Sequence, residues 1–251
     1  PWTCGLEFDY SNEESFVCRP LRKAEYADVE VKKAKFSTIP DEALQVQVAY
    51  LPPMSGLAAE EPKWETGRLN VLLGEGQTAQ ILRNLCYQAF TSSEESWSEL
   101  VSHIERLFGA KLNPPLFISE RGEITMSYNE KGIQLDLASS GRGLQQTLLL
   151  LAHLYANPEN ILLLDEPDAH LEVLRQRQIY LLIKSLAEKQ KSQIIVASHS
   201  EVVLNEAAGN GVVVAFVGKP HIINDRGSQE MKALTSIGWE SYALAELRGW
   251  V

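Results

Sequence analysis

The hydrophobic pattern opens with alternation. Residues 4–10, CGLEFDY, place apolar and polar side chains in turn, Ser11 and Asn12 interrupt, and SFVCRP at 15–20 resumes, which predicts two antiparallel strands. Residues 24–36 are charged and fit strand or helix. LQVQVAY at 44–50 alternates again and stops at Pro52 and Pro53, so another strand is expected there. Residues 54–67, with Pro, Gly and several Glu, show little periodicity and read as a loop. The period then becomes helical. Ile81, Leu82, Leu85 and Ala89 fall on one side of 77–90, and Leu100, Val101, Ile104 and Leu107 on one side of 96–108, with Ser92 or Ser93 as its cap.

Three short strands follow at 116–119, 123–128 and 132–137, joined by turns at Arg121-Gly122 and 129–132 into a small meander. From Ala138 the texture changes to a Ser/Gly loop, a helix at 144–155, a buried strand at 161–164, an amphipathic helix at 171–189 and a second buried strand at 194–197. Helix, strand, helix, strand implies an α/β fold with a parallel sheet and crossovers. Both strands are near-continuous apolar runs, which predicts cover on both faces. A short helix from Glu201, a strand at 212–217 with a hairpin partner at 220–223, and a helix at 241–248 complete the reading. No internal repeat or low-complexity tract interrupts it.

Composition narrows the picture. At 251 residues, 45% hydrophobic and 22% charged, the chain is long enough for a sizeable core and is ordinary globular material. Its net charge of -10 sets the whole-molecule field against nucleic acid and anionic membrane, and the densest basic runs, Arg19, Arg22 and Lys23 or Lys32, Lys33 and Lys35, read as solvated faces. The longest apolar stretch, Leu148 to Ala152, is far short of the ~20 residues of a membrane span. Cys4, Cys18 and Cys86 show no CxxC spacing, so neither a disulfide framework nor a zinc site is suggested. Cys4 and Cys18 facing across a hairpin is the alternative to free thiols, and a reducing, cytoplasmic setting fits. Residue 1 is Pro, not Met, and nothing there resembles a signal peptide, so the chain is expected to be part of a longer protein.

Three segments carry chemistry. ILLLDEP at 161–167 ends a buried strand in two adjacent carboxylates, Asp165 and Glu166, and ligands of parallel sheets bind beyond the carboxyl ends of strands. One acid there can hold a hydrated Mg²⁺ while the next polarises an attacking water; the plain alternative is a polar turn before a helix. IIVASHS at 194–200 ends a second buried strand in His199, one strand-helix-strand crossover after Asp165, so the two strand ends can be neighbours. A hydrogen-bonded cap is the plain alternative for this histidine. LASSGRG at 137–143 opens a helix with small residues, where exposed amides and the helix dipole favour an anion such as phosphate. Its alternative is an ordinary serine N-cap at Ser139 or Ser140.

Together and in this order, the three resemble the second half of an ABC-type ATPase of the RecF/SMC-like group, especially the modules of OLD-family and AAA-type defence proteins. The match covers roughly residues 137–205. The resemblance implies an ABC-ATPase-like partial domain, with a parallel sheet, flanking helices, and an antiparallel β and helical subdomain. It suggests an antiparallel β region at 1–53, a helical region at 54–112 and the core at 113–251. ASSGR at 138–142 is similar to the LSGGQ signature, which gives Ser139, Ser140, Gly141 and Arg142 nucleotide-binding roles, although Ser140 and Arg142 depart from the pattern. Residues 161–166 resemble Walker B, with Asp165 as the magnesium-side acid and Glu166 as the general base. PDAHL at 167–171 resembles the D-loop, with Asp168 and His170 near nucleotide, and His199 matches the switch histidine.

The same resemblance implies ATP and Mg²⁺ as ligands and a nucleotide-gated homodimer closed through signature and D-loop. In the parent protein it implies DNA-directed or defence activity, and a C-terminal Toprim nuclease domain. Sites of this class grip phosphates with GxxxxGK[ST], which the sequence lacks; LGEGQT at 73–78 has an acid and no lysine and reads as a turn before a helix. Walker A is therefore expected upstream of Pro1. The alternative is a non-catalytic interaction or scaffold fragment, and a transporter ATPase subunit is a third reading.

Overall fold

The computed structural model describes residues 45–207 and, outside them, six short strands at 5–12, 15–21, 24–25, 35–36, 213–215 and 221–223. The chain divides into two compact units, residues 1–47 and 48–251.

In the first unit, strands β1 (Gly5–Asn12) and β2 (Ser15–Leu21) form the expected antiparallel hairpin, with an irregularity between Tyr10 and Asn12. The register sets Phe8, not Cys4, opposite Cys18; Cys4 lies outside the described residues. Within the ambiguous charged segment, β3 (Ala24–Glu25) and β4 (Lys35–Phe36) pair antiparallel.

The second unit begins with β5 (Val48–Leu51), which starts four residues later than the alternation at 44–50 suggests. The segment read as a loop, 54–67, runs without regular helix until its last two residues, where helix α1 (Thr66–Gly74), not expected from the sequence, begins; its Leu69, Leu72 and Leu73 are buried at helical spacing. After a turn in which Gly76 takes φ 73°, the expected helix at 77–90 is broken into a 3₁₀ turn, Thr78–Gln80, and α2 (Leu82–Ser92). The break has two causes, both from earlier in the chain. Thr78 Oγ1 donates to Pro53 O (3.2 Å) and accepts from Ser55 N (2.8 Å), while the buried Glu61 carboxylate accepts from the amides of Arg83 and Asn84 (2.9 and 2.6 Å) and caps α2 from a distant part of the chain. Helix α3 (Glu94–Phe108) is capped by Ser93, which accepts from Ser96 N, and ends at Gly109 with φ 70°.

The expected meander has a different pairing. Met126, buried, divides its middle strand, so β7 (Leu116–Ile118) pairs only with β8 (Glu123–Thr125). Next, β9 (Ser127–Glu130) lies between β10 (Ile133–Asp136) and β6 (Ala110–Leu112), a short strand not expected from the sequence.

Helix α4 (Arg142–Ala156) is buried almost all round; Leu148, Leu149, Leu150 and Leu151 are fully covered, each contributing about 1.5–3 kcal/mol by burial. The parallel sheet runs β12-β11-β5, with β11 (Ile161–Asp165) central, β12 (Gln193–Ala197) on one side and β5 on the other. Helix α5 (Val173–Gln190) makes the crossover between β11 and β12. Leu162 and Leu164 join the core with α4 and with Ile179, Leu182 and Ile183 of α5, and Ile194 and Val196 pack against it. The opposite face is open among the described residues: Val48 is 56% exposed, Tyr50 40% and Ile195 61%. Among the described residues, burial alternates along β11 and β12 with the period of the pleat, so these residues cover one face where the apolar runs predict cover on both.

Helix α6 (Glu201–Ala207) and the antiparallel pair β13 (Val213–Ala215) and β14 (His221–Ile223) follow as expected; the expected helix at 241–248 lies outside the described residues. No described helix is long and apolar enough to cross a membrane.

Candidate functional site

Parallel pairing of β11 with β12 aligns Asp165 with Ala197, so the acids after β11 and the polar run after β12 leave the sheet at the same edge. The ladder continues one step further, through Glu166 N donating to Ala197 O at 2.8 Å. Glu166 then takes φ 48°, a left-handed conformation costly for a residue with a Cβ, and the chain turns as Ala169 N donates to Glu166 O. This turn brings the Glu166 carboxylate to 3.4 Å from Nε2 of His199. The histidine ring is 96% exposed while the carboxylate is 28% exposed, so the acid sits in the wall and the imidazole stands in front of it. Burial, then Asp168, and to a smaller degree Asp165, push the Glu166 carboxyl above the usual carboxylate range against the opposing pull of His199.

A hydrogen-bonded chain fixes this edge. Ser198 Oγ donates to Asp168 Oδ1 at 2.6 Å, Ser200 N donates to Ser198 Oγ at 2.9 Å, and Ser200 Oγ donates to Gln176 Oε1 at 2.8 Å. Gln176 Nε2 in turn donates to Leu171 O at 3.0 Å. The buried Asp168 therefore ties the turn after β11 to the end of β12, and His199 is held between two anchored serines. Asp165, at the end of β11, accepts a 3.4 Å hydrogen bond from Tyr50 on β5. Burial and then Asp165 raise the Tyr50 phenol, which keeps it a donor.

The 137–143 segment has a different local design. Asp136 Oδ1 accepts from Ala138 N and starts a 3₁₀ turn, Leu137–Ser139. Ser139 Oγ donates to Asp136 O and Ser140 Oγ to Leu137 O, both at 2.7 Å. Neither serine caps α4, which corrects the plain alternative: the N-cap is Gly141, which has no side chain to bond the first-turn amides. The start of α4 packs on the turn after β11, since a Cβ on Gly143 would meet His170 O at 3.3 Å. His170, with φ 64°, is the second strained residue of that turn.

The predicted residues thus fall into two neighbouring groups. Asp165, Glu166, Asp168 and His199 converge at the sheet edge; Ser140, Gly141 and His170 line a cleft of ≈ 330 Å³ with Arg175 and Phe108. Among the described residues no hydrogen bond joins Ser139 or Arg142 to the acids; both are exposed. The roles of Tyr50 and Gln176 were not visible in the sequence, because strand order decides the first and helix rotation the second. Among the described residues no three His, Cys, Asp or Glu side chains form a metal-binding group. A Mg²⁺ shared with nucleotide needs only one or two carboxylates, the rest being water and phosphate oxygens, so the partly buried Asp165 fits that part.

This edge thus sets two acids and a histidine beyond parallel strands, with a small-residue helix start nearby. Residues 6–205 match the family described as "AAA domain, putative AbiEii toxin, Type IV TA system", and the chain belongs to that family. A stretch of 77 residues, 31% of this chain, is 34% identical to the oligopeptide transport ATP-binding protein AppD of Bacillus subtilis, and spans 23% of that protein's length. Solved structures with similar outlines include the Smc head domain of Pyrococcus furiosus with bound ScpA C-terminal domain (19% identity, TM-score 0.40, 57% of this chain and 38% of that one). Another is the Smc head of Pyrococcus yayanosii with its coiled coil and joint (19%, TM-score 0.43, 68% and 32%). These matches do not distinguish the OLD branch from the wider group.

Proposed function

We propose that this chain is the ATP-hydrolysing part of a nucleotide-gated homodimer, in which the signature turn of one subunit closes on nucleotide held by the other. The observation that carries the reading is the Glu166 carboxylate, fixed by a strained strand-end turn, raised above its ordinary pKa and facing His199 at 3.4 Å. Glu166 orients the attacking water and accepts its proton. His199, exposed and flanked by anchored serines, meets the γ-phosphate. Asp165 holds Mg²⁺, and Asp168 and His170 border the nucleotide. Ser139, Ser140, Gly141 and Arg142 present hydroxyls, amides and a cation to the phosphate of the partner subunit. Mg²⁺ supplies neutralisation of phosphate charge when bound.

None of the 251 residues forms a GxxxxGK[ST] loop, so ATP binding is assigned to the intact protein. Hydrolysis opens the dimer and drives a DNA-directed or defence activity in the cytoplasm, through a Toprim domain or a partner. The match to an ATP-binding protein supports the nucleotide part of this reading.

Glu166→Gln in the intact protein should lower steady-state ATP turnover about 10²–10⁴-fold, as removal of a general base does. Turnover equal to wild type would remove Glu166 from the mechanism.

A further inference from the structure

Arg83 is a buried guanidinium that the site described above does not use. It is 2% exposed, on α2, and faces three groups: Nη1 donates to Ala58 O at 2.9 Å and lies 3.7 Å from Glu61 Oε2, while Nη2 lies 3.7 Å from Asp136 Oδ1. Capping does not account for it. Glu61 already accepts from Arg83 N, Asn84 N and Asn84 Nδ2, so the cap of α2 is complete without a guanidinium. Packing does not account for it either, because a buried cation carries a desolvation cost that an apolar side chain of similar volume would avoid. What the rigid fork alone can do is reach an acid with each arm.

The acid on the second arm is the hub of the signature turn. Oδ1 of Asp136, the atom facing Arg83, accepts the Ala138 amide at 2.8 Å, and its main-chain carbonyl accepts the Ser139 hydroxyl at 2.7 Å. We propose that Arg83 is a positioning residue: anchored by the buried Glu61, it holds Asp136 and so sets how the Leu137–Ser139 turn presents Ser139 to phosphate. The seating of α2, more than fifty residues away in sequence, then governs the signature turn, and a partner that shifts α2 shifts Ser139. This rests on Ser139 acting as the phosphate contact proposed above.

The test is amide hydrogen exchange in the intact protein without nucleotide, joined to ATP kinetics. Asp136→Asn keeps an acceptor for Ala138 N but removes the charge that Arg83 holds; its carboxylate is 60% exposed, so the variant is expected to fold. Arg83→Lys keeps the charge but not the fork. Each should speed exchange at Ala138 and Ser140 about threefold to fivefold, the scale of a half-exposed ion pair, with Leu148 to Leu151 unchanged. The double variant should be no faster than the faster single one. In turnover, kcat should fall by a similar factor at unchanged KM for ATP. Unchanged exchange at Ala138 and Ser140, multiplicative effects in the double variant, or faster exchange with wild-type kcat would each overturn the proposal. A wild type that hydrolyses no ATP removes the function proposed above, and the exchange arm still decides whether Arg83 holds the turn.

Discussion

Two titratable residues report on opposite demands. Glu166 acts as a base only when ionised, and burial with neighbouring acids raises its carboxyl. The acid limb of the kcat profile should therefore lie above the ordinary carboxylate range, activity rising with pH through it; a profile flat down to pH 4 would contradict that. His153 is a core residue of α4. Neither ring nitrogen makes a hydrogen bond of ordinary geometry, although the Ala49 backbone lies close, and burial lowers its pKa to about 4. The native state thus stays unprotonated where the unfolded chain binds a proton, so stability is full above pH 6.5 and is lost as pH falls toward 4. Urea unfolding should show wild type losing about 2–3 kcal/mol more than His153→Leu between pH 7 and 4.5, and parallel losses would remove His153 as the cause.

At the scale of elements, the start of α4 lies close against the strained turn after β11. Gly143 lets α4 approach, since a Cβ there would sit 3.3 Å from His170 O and 3.4 Å from Leu171 Cδ2. Gly143→Leu should destabilise by about 1–3 kcal/mol in urea unfolding through overpacking, and wild-type stability would show that the junction yields freely. The two strand ends and the helix start were legible in sequence because each is a junction between a strongly apolar run and a short cluster of polar or small residues. Helix α1 was hidden because Gly67 and the polar run before it masked Leu69, Leu72 and Leu73. The break at Ile81 was hidden because its cause, Glu61, lies twenty residues away in sequence. Tyr50 was hidden for the same kind of reason: an alternating strand does not announce that it will pair beside β11.

For the whole molecule, a net charge of -10 opposes nucleic acid and gives the DNA-directed part of the proposed function no electrostatic support. What the described residues do supply is a sheet edge with Glu166 facing His199, and beside it a separate turn bearing Ser139, its hydroxyl directed back to Asp136. That separation is what a site completed across two subunits requires. The most direct measurement is ATP turnover by mixed intact subunits, one carrying Glu166→Gln and the other Ser139→Arg. Each variant alone should be inactive. Random mixing makes half the dimers heterodimers, each with one site built from an unaltered Glu166 and an unaltered Ser139, so turnover should recover to about a quarter of wild type. A mixture as inactive as either variant alone would contradict a site shared between two subunits.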